Sequence, residues 1–140
     1  MSEALQLEVV NGYMIGPLDK LPYSTYRVSP LGVAQSKYSG KKRLILDLSS
    51  PHDKDTNSIN SLIDKEKYSL DYVKVDDAID IIRRLGKGTL LTKVDVKDAF
   101  RILPILPSQW RYHCVKWEGK YYVFVRLVFG SRSSPKSLLN

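Results

Sequence analysis

The chain has one cysteine, Cys114, and only two histidines, His52 and His113. A single thiol excludes an internal disulfide, and no Cys or His pair stands at the spacing of a zinc site. No run approaches the roughly 20 apolar residues of a membrane span, and Met1–Leu5 lack the basic and apolar regions of a signal peptide. The expectation is a chain without a membrane partner, intracellular, in nucleus or cytoplasm. Internal repeats, low-complexity tracts and Gly/Ser linkers are also missing, which leaves one domain or one piece of one.

What remains is globular in composition: 140 residues, 43% hydrophobic and 26% charged. The formal net charge of +7 is unevenly spread, with 10 Lys and Arg against 12 Asp and Glu in residues 1–80 and 12 against 3 in residues 81–140. The second part is the candidate face for a polyanion, with a solvated basic surface as the plain alternative.

Residues 1–8 suit a short helix, and Asn11-Gly12, Gly16-Pro17 and Leu21-Pro22 then punctuate a looping N-terminal segment. Val28–Gln35 and Arg43–Leu48 read as two strands of a hairpin whose tip gathers Lys37, Lys41, Lys42 and Arg43. Those cations can close over phosphates or protect a strand edge from aggregation, and the segment alone supports both uses. Asp47 within this apolar strand calls for a partner if buried. Residues 49–67 are turn chemistry running over the surface, with His52 a solvent-facing loop residue.

Tyr68-Ser69-Leu70 suggests a short strand. Val75, Ala78, Ile79, Ile82 and Leu85 then fall on one helical face, with Asp76 and Asp77 at its start, Arg83 and Arg84 at its end and Gly86 beyond. That stripe is expected to be core. Leu90–Val96 reads as an apolar strand carrying Asp95, and Pro104 and Pro107 limit the next residues to turns and extended chain. Two aromatic-rich strands, 112–117 and 120–125, flank a Glu118-Gly119 turn, with Cys114 buried and His113 packed or at an edge. Ser133 or Ser134 can cap a last helix with Pro135 at its first position. That helix has room for only about two turns, too few for stability alone, which suggests a truncated chain.

A carboxylate at the end of a rigid strand can hold magnesium for nucleotidyl transfer, although one aspartate in that setting is a weak signal. Val94-Asp95-Val96-Lys97-Asp98-Ala99-Phe100 resembles the first palm motif of reverse transcriptases, a metal-binding Asp followed five residues later by Tyr or Phe. Ser29–Val33 with Arg43–Leu48 is similar to the fingers hairpin of that family, and Phe129-Gly130 with Ser134-Pro135 to its next motif, a Gly-x-x-x-Ser-Pro turn into a helix. The flavour is that of the polymerase of DIRS-type tyrosine-recombinase retrotransposons.

The resemblance implies an α+β fold, the fingers and partial palm of a right-hand polymerase, with antiparallel hairpins, a few helices and an incomplete palm sheet. Its parts would be a segment over 1–26, fingers over 27–90 and the first part of the palm over 91–140. Asp95 would be catalytic and bind Mg2+ together with the Val96 carbonyl. Arg43, and with less definite register Lys37, would meet the triphosphate. Phe100 would be the steric gate, and Gly130, with Phe129 beside it, would allow close approach near nucleotide and template. The partners implied are deoxynucleoside triphosphates and an RNA or DNA template–primer. Two departures stand out: Lys136 replaces a small apolar residue after the Pro, and no Tyr-x-Asp-Asp pair follows, so the second carboxylate motif, the rest of the palm and the thumb are missing. This chain alone is therefore expected to be inactive, the fragment of a longer polymerase; a non-catalytic nucleic-acid-binding remnant or a decayed gene product is the alternative.

Overall fold

The computed structural model describes residues 1–140 except 39, 41, 54, 71 and 140, and leaves the side chains of Leu138 and Leu139 undescribed. Lys41 of the basic hairpin tip therefore lies outside the described residues. The fold is α+β. In chain order it contains α1 (Ser2–Val10), β1 (Met14–Leu18), β2 (Leu31–Gln35), β3 (Lys42–Leu46), α2 (Val75–Leu85), α3 (Ala99–Ile102), β4 (Cys114–Trp117), β5 (Lys120–Phe124) and α4 (Ser134–Leu139). Short 3-10 turns occupy Asn60–Leu62 and Pro107–Tyr112.

Two antiparallel units carry the core. β4 and β5 form a hairpin in which Trp117 faces Lys120, and both connecting residues have positive φ, Glu118 at 47° and Gly119 at 78°. That is the type I′ geometry whose twist suits a two-residue loop. β1 adds to the other side of β5, pairing Met14 with Phe124, so the three-stranded sheet runs β1-β5-β4. The N-terminal segment is thus not merely looping, as its turn residues suggest; its strand is fixed by a partner more than a hundred residues away. The second unit is the hairpin β2–β3, with Leu31 opposite Leu46. Leu44, Leu46 and Leu48 of its inner face bury against Leu5, Met14, Ile105, Val115, Phe124 and Val128.

Three sequence expectations fail here. Leu90–Val96 forms no strand and pairs with nothing among the described residues; Leu90 is 95% and Val94 81% exposed. β propensity describes fit to a sheet surface, and without a ladder partner the backbone groups of this stretch are left to water. Tyr68–Leu70 likewise forms a turn and coil rather than a strand. The helix over Val75–Leu85 has the expected bounds, with Gly86 as its C-cap at φ 86°, yet none of its residues is buried, so its apolar stripe is not core. After Pro104 the chain runs in turns and extended chain: Pro107 opens a 3-10 turn, where its missing N–H costs nothing.

That turn delivers Trp110 and His113 inward. Trp110 Nε1 donates to the Ile105 carbonyl at 2.8 Å, and His113 Nδ1 lies 3.1 Å from the Gln109 carbonyl. Cys114 is fully buried, and burial pushes its thiol up to about 11, so it is an inert strand residue. Burial lowers the His113 pKa from its ordinary 6.5. The folded state therefore binds fewer protons than the unfolded chain as pH falls through that value, and stability is lost toward acid. We expect the melting temperature to drop between pH 7.5 and 5.5 and His113→Asn to show a shallower drop, measured by thermal unfolding across that window.

Candidate nucleotide site

The hairpin β2–β3 is locked to the segment after β5 by backbone. The Leu46 amide donates to the Phe129 carbonyl at 3.3 Å, and a Cβ on Gly130, whose φ is 113°, would sit 2.1 Å from the Leu46 carbonyl oxygen. Only glycine tolerates both the close approach and the backbone angle. The close approach expected of Gly130 is thus made to the chain's own hairpin. Asn60 holds the same segment from below: its Nδ2 donates to the Gly130 carbonyl at 2.7 Å and to Ser49 Oγ at 2.9 Å, and its Oδ1 accepts from the Arg132 amide at 2.9 Å. This buried asparagine satisfies three partners at once.

The lock brings together three of the residues singled out from sequence. The Arg43 guanidinium lies 5.6 Å from the Phe129 ring centroid, and the Phe100 ring meets Phe129 edge to face at 5.0 Å. Such contacts orient a guanidinium and a ring without burying either. Beside them is a cleft of about 340 Å3 lined by Lys42, Arg43, Lys97, Asp98 and Phe129, together with Leu7 and Glu8 of α1 and Asn11 just after it. Its cations suit a phosphate-bearing ligand.

Behind Phe100, Arg101 is 5% exposed and forms an ion pair with Glu8 at 2.9 Å. Its guanidinium also donates to the Leu127 carbonyl at 3.1 Å and faces the rings of Phe124 at 5.0 Å and Tyr13 at 5.7 Å. Burial lowers the Arg101 pKa and raises that of Glu8, each against the pull of the other charge. The pair ties α1 to α3 and so fixes the root of Phe100. Sequence reasoning missed Arg101, Glu8 and Asn60. A lone arginine inside the apolar run Ala99–Leu106 was a usable signal for the first; nothing local marks the other two.

The remaining candidates are not gathered. Lys37 projects from the exposed hairpin tip, and Asp95 and Val96 lie in the exposed coil before α3. Asp98 adopts a left-handed conformation at φ 50° just ahead of that helix. Among the described residues no three His, Cys, Asp or Glu side chains lie close enough to hold a metal ion. The donor set around Asp95 does not by itself fit magnesium, and no chemical step follows through it. Asp47 finds its partner in His52, whose Nε2 is 2.9 Å from Oδ2 on an exposed turn. α4 forms with Lys136 within it, and the Lys136 ammonium donates to the Lys67 carbonyl at 2.6 Å. Ser134 Oγ donates to the Val128 carbonyl, so its hydroxyl ties the helix to the preceding turn.

The Glu8–Arg101 pair gives a direct test of the joint. Glu8→Ala leaves a buried guanidinium without its counter-charge and is expected to cost roughly 3–5 kcal/mol. Replacing both residues, Glu8→Leu with Arg101→Met, should recover most of that loss, as read from urea unfolding midpoints.

No family model matches the sequence, and no curated protein matches it. Solved structures do. The foamy viral protease-reverse transcriptase in complex with double-stranded DNA aligns with a TM-score of 0.60 and 19% identity, over 97% of this chain and 21% of that one. The native protease-reverse transcriptase of prototype foamy virus aligns with a TM-score of 0.51 and 14% identity, over 99% of this chain and 16% of that one. The chain spans about a fifth of the length of these proteins. At such identity the likeness is one of fold: the chain folds like part of these reverse transcriptases.

Proposed function

We propose that the chain is the fingers and first part of the palm of a retroelement's RNA-directed DNA polymerase, of the DIRS type, and that its role in the complete enzyme is to receive a deoxynucleoside triphosphate beside a template–primer. The observation that carries this reading is the convergence of Arg43 and Phe100 on Phe129, next to a cationic cleft. In this reading Arg43, with Lys42 alongside, takes the phosphates by charge-assisted hydrogen bonds. Phe100 presents its ring where the sugar would lie and disfavours a 2′-hydroxyl. Phe129 lines the cleft, Gly130 seats that segment against the hairpin, and Asp95 marks the position of a catalytic carboxylate without completing a metal site. Residues 27–90 and 91–140 are the corresponding fingers and palm portions, and the protein works inside the cell.

A non-catalytic nucleic-acid-binding role is the second reading, favoured by the 12 cationic against 3 acidic residues of positions 81–140. It accounts for backbone binding without sequence choice, and for less of the site.

Titration with a deoxynucleoside triphosphate at low ionic strength separates the two. Arg43→Ala should weaken binding about tenfold, the loss expected of a charged hydrogen-bond donor. Equal affinity of wild type and variant would overturn the triphosphate assignment and leave the second reading. Primer extension with magnesium should be absent in both; incorporation that disappears in Asp95→Ala would contradict the inactivity of this chain.

A further inference from the structure

The helix that carries Phe100 has little holding it. α3 is a single turn, too short to be stable by itself. Through residues 91–102 only Arg101 is buried. Val94 and Val96 before the helix and Ile102 at its end are exposed, and Leu103 after it lines a cavity of about 860 Å3 together with Leu106 and Leu127. Apart from the edge contact with Phe129, the ring of Phe100 stands where Arg101 puts it.

The groups that meet the Arg101 guanidinium divide by origin and by charge. The Phe124 ring and the Leu127 carbonyl lie on β5 and the run that leads from it to Phe129, and Tyr13 immediately precedes β1, which pairs with β5; all three are neutral. The charged partner, Glu8, comes from α1. That helix is fixed through residues that do not line the cleft, by Leu5 in the core and by Trp117 Nε1, which donates to Ser2 Oγ at 2.9 Å. Glu8 and Arg101 both line the cleft of about 340 Å3, beside Lys42, Arg43 and Lys97. A carboxylate on the wall of a phosphate cleft works against an anionic ligand, so its place there calls for another use.

We propose that Glu8 is a positioning residue for sugar selection: by holding the Arg101 guanidinium it fixes the Phe100 ring, so that the preference for a 2′-deoxy over a 2′-hydroxy sugar is set from the N-terminal helix. This assignment rests on the cleft being a deoxynucleoside triphosphate site. Without the charge at position 8, Arg101 keeps only its neutral partners and has bound phosphate as a competing one. The ring on the next residue then has room to give way to a hydroxyl.

Competition between dATP and ATP at low ionic strength tests it, in wild type, Glu8→Gln, Arg101→Lys and, as a control on an exposed position of α1, Glu3→Gln. Glutamine keeps the size of Glu8 without the charge, and lysine keeps the charge of Arg101 without the planar fork that spans Glu8 and the Leu127 carbonyl. Wild type and Glu3→Gln should prefer dATP by about tenfold or more. In Glu8→Gln and Arg101→Lys that preference should fall at least about threefold, with far-UV circular dichroism confirming the fold. The ratio separates positioning from a merely structural role, because a loosened core weakens both nucleotides alike. An unchanged ratio in a folded variant would overturn the assignment. So would loss of fold in both variants, since the pair would then serve the core and not the gate. Failure of wild type to bind either nucleotide, or equal binding of the two, would overturn the reading of the cleft and the assignment with it.

Discussion

The cleft beside Phe129 depends on the contact between the Leu46 carbonyl and the backbone of Gly130. A two-stranded hairpin is marginal on its own, and β2–β3 gains its place by burying Leu44, Leu46 and Leu48 and by the Leu46 amide on Phe129. With no Cβ at position 130, the segment after β5 can press against β3, and Phe129 is delivered beneath Arg43. Phe100 reaches the same ring because Arg101, next to it, is held by Glu8, Leu127 and two aromatic faces. One phenylalanine is therefore positioned by two independent anchors, and a cation and a gate-like ring share it.

Packing is unequal along the chain, and the inequality follows the chemistry. Residues 1–48 and 99–137 contribute the buried leucines, Val115, Phe124 and Val128; Arg101 among them, and Asn60 from the loop between, are polar braces that each meet their hydrogen-bonding or ionic demand inside the core. Residues 72–96 expose nearly every large apolar side chain they carry, from Tyr72 to Val96. Apolar surface of that extent marks a place that something covers. Asp95 belongs to this unpacked stretch, whereas Arg43, Phe100 and Phe129 belong to the packed one. The half of the proposed site around Phe129 is packed, and the half around Asp95 is exposed.

Local signals were legible in the sequence. The Glu118-Gly119 turn fixed its hairpin to within two residues, the stripe and Gly86 bounded α2, and the basic hairpin and the Phe-Gly segment were found where they lie. Contacts between distant residues were not legible. β1 exists because β5 pairs with it, and Glu8 matters because α3 brings Arg101 to it; no window of sequence contains either fact. The errors at Leu90–Val96 and on the α2 stripe share one cause. Alternation and amphipathicity say which side chains want burial, and only the rest of the fold says whether a partner is there.

The central claim is that the cleft beside Phe129 is a phosphate site built by the hairpin lock. The direct measurement is a crystal structure of the chain with a deoxynucleoside triphosphate. The account predicts phosphate oxygens within hydrogen-bond distance of the Arg43 guanidinium, with the sugar against Phe100. A triphosphate seated instead in the cavity beneath Leu103 and Leu106, or phosphates turned away from Arg43, would contradict it.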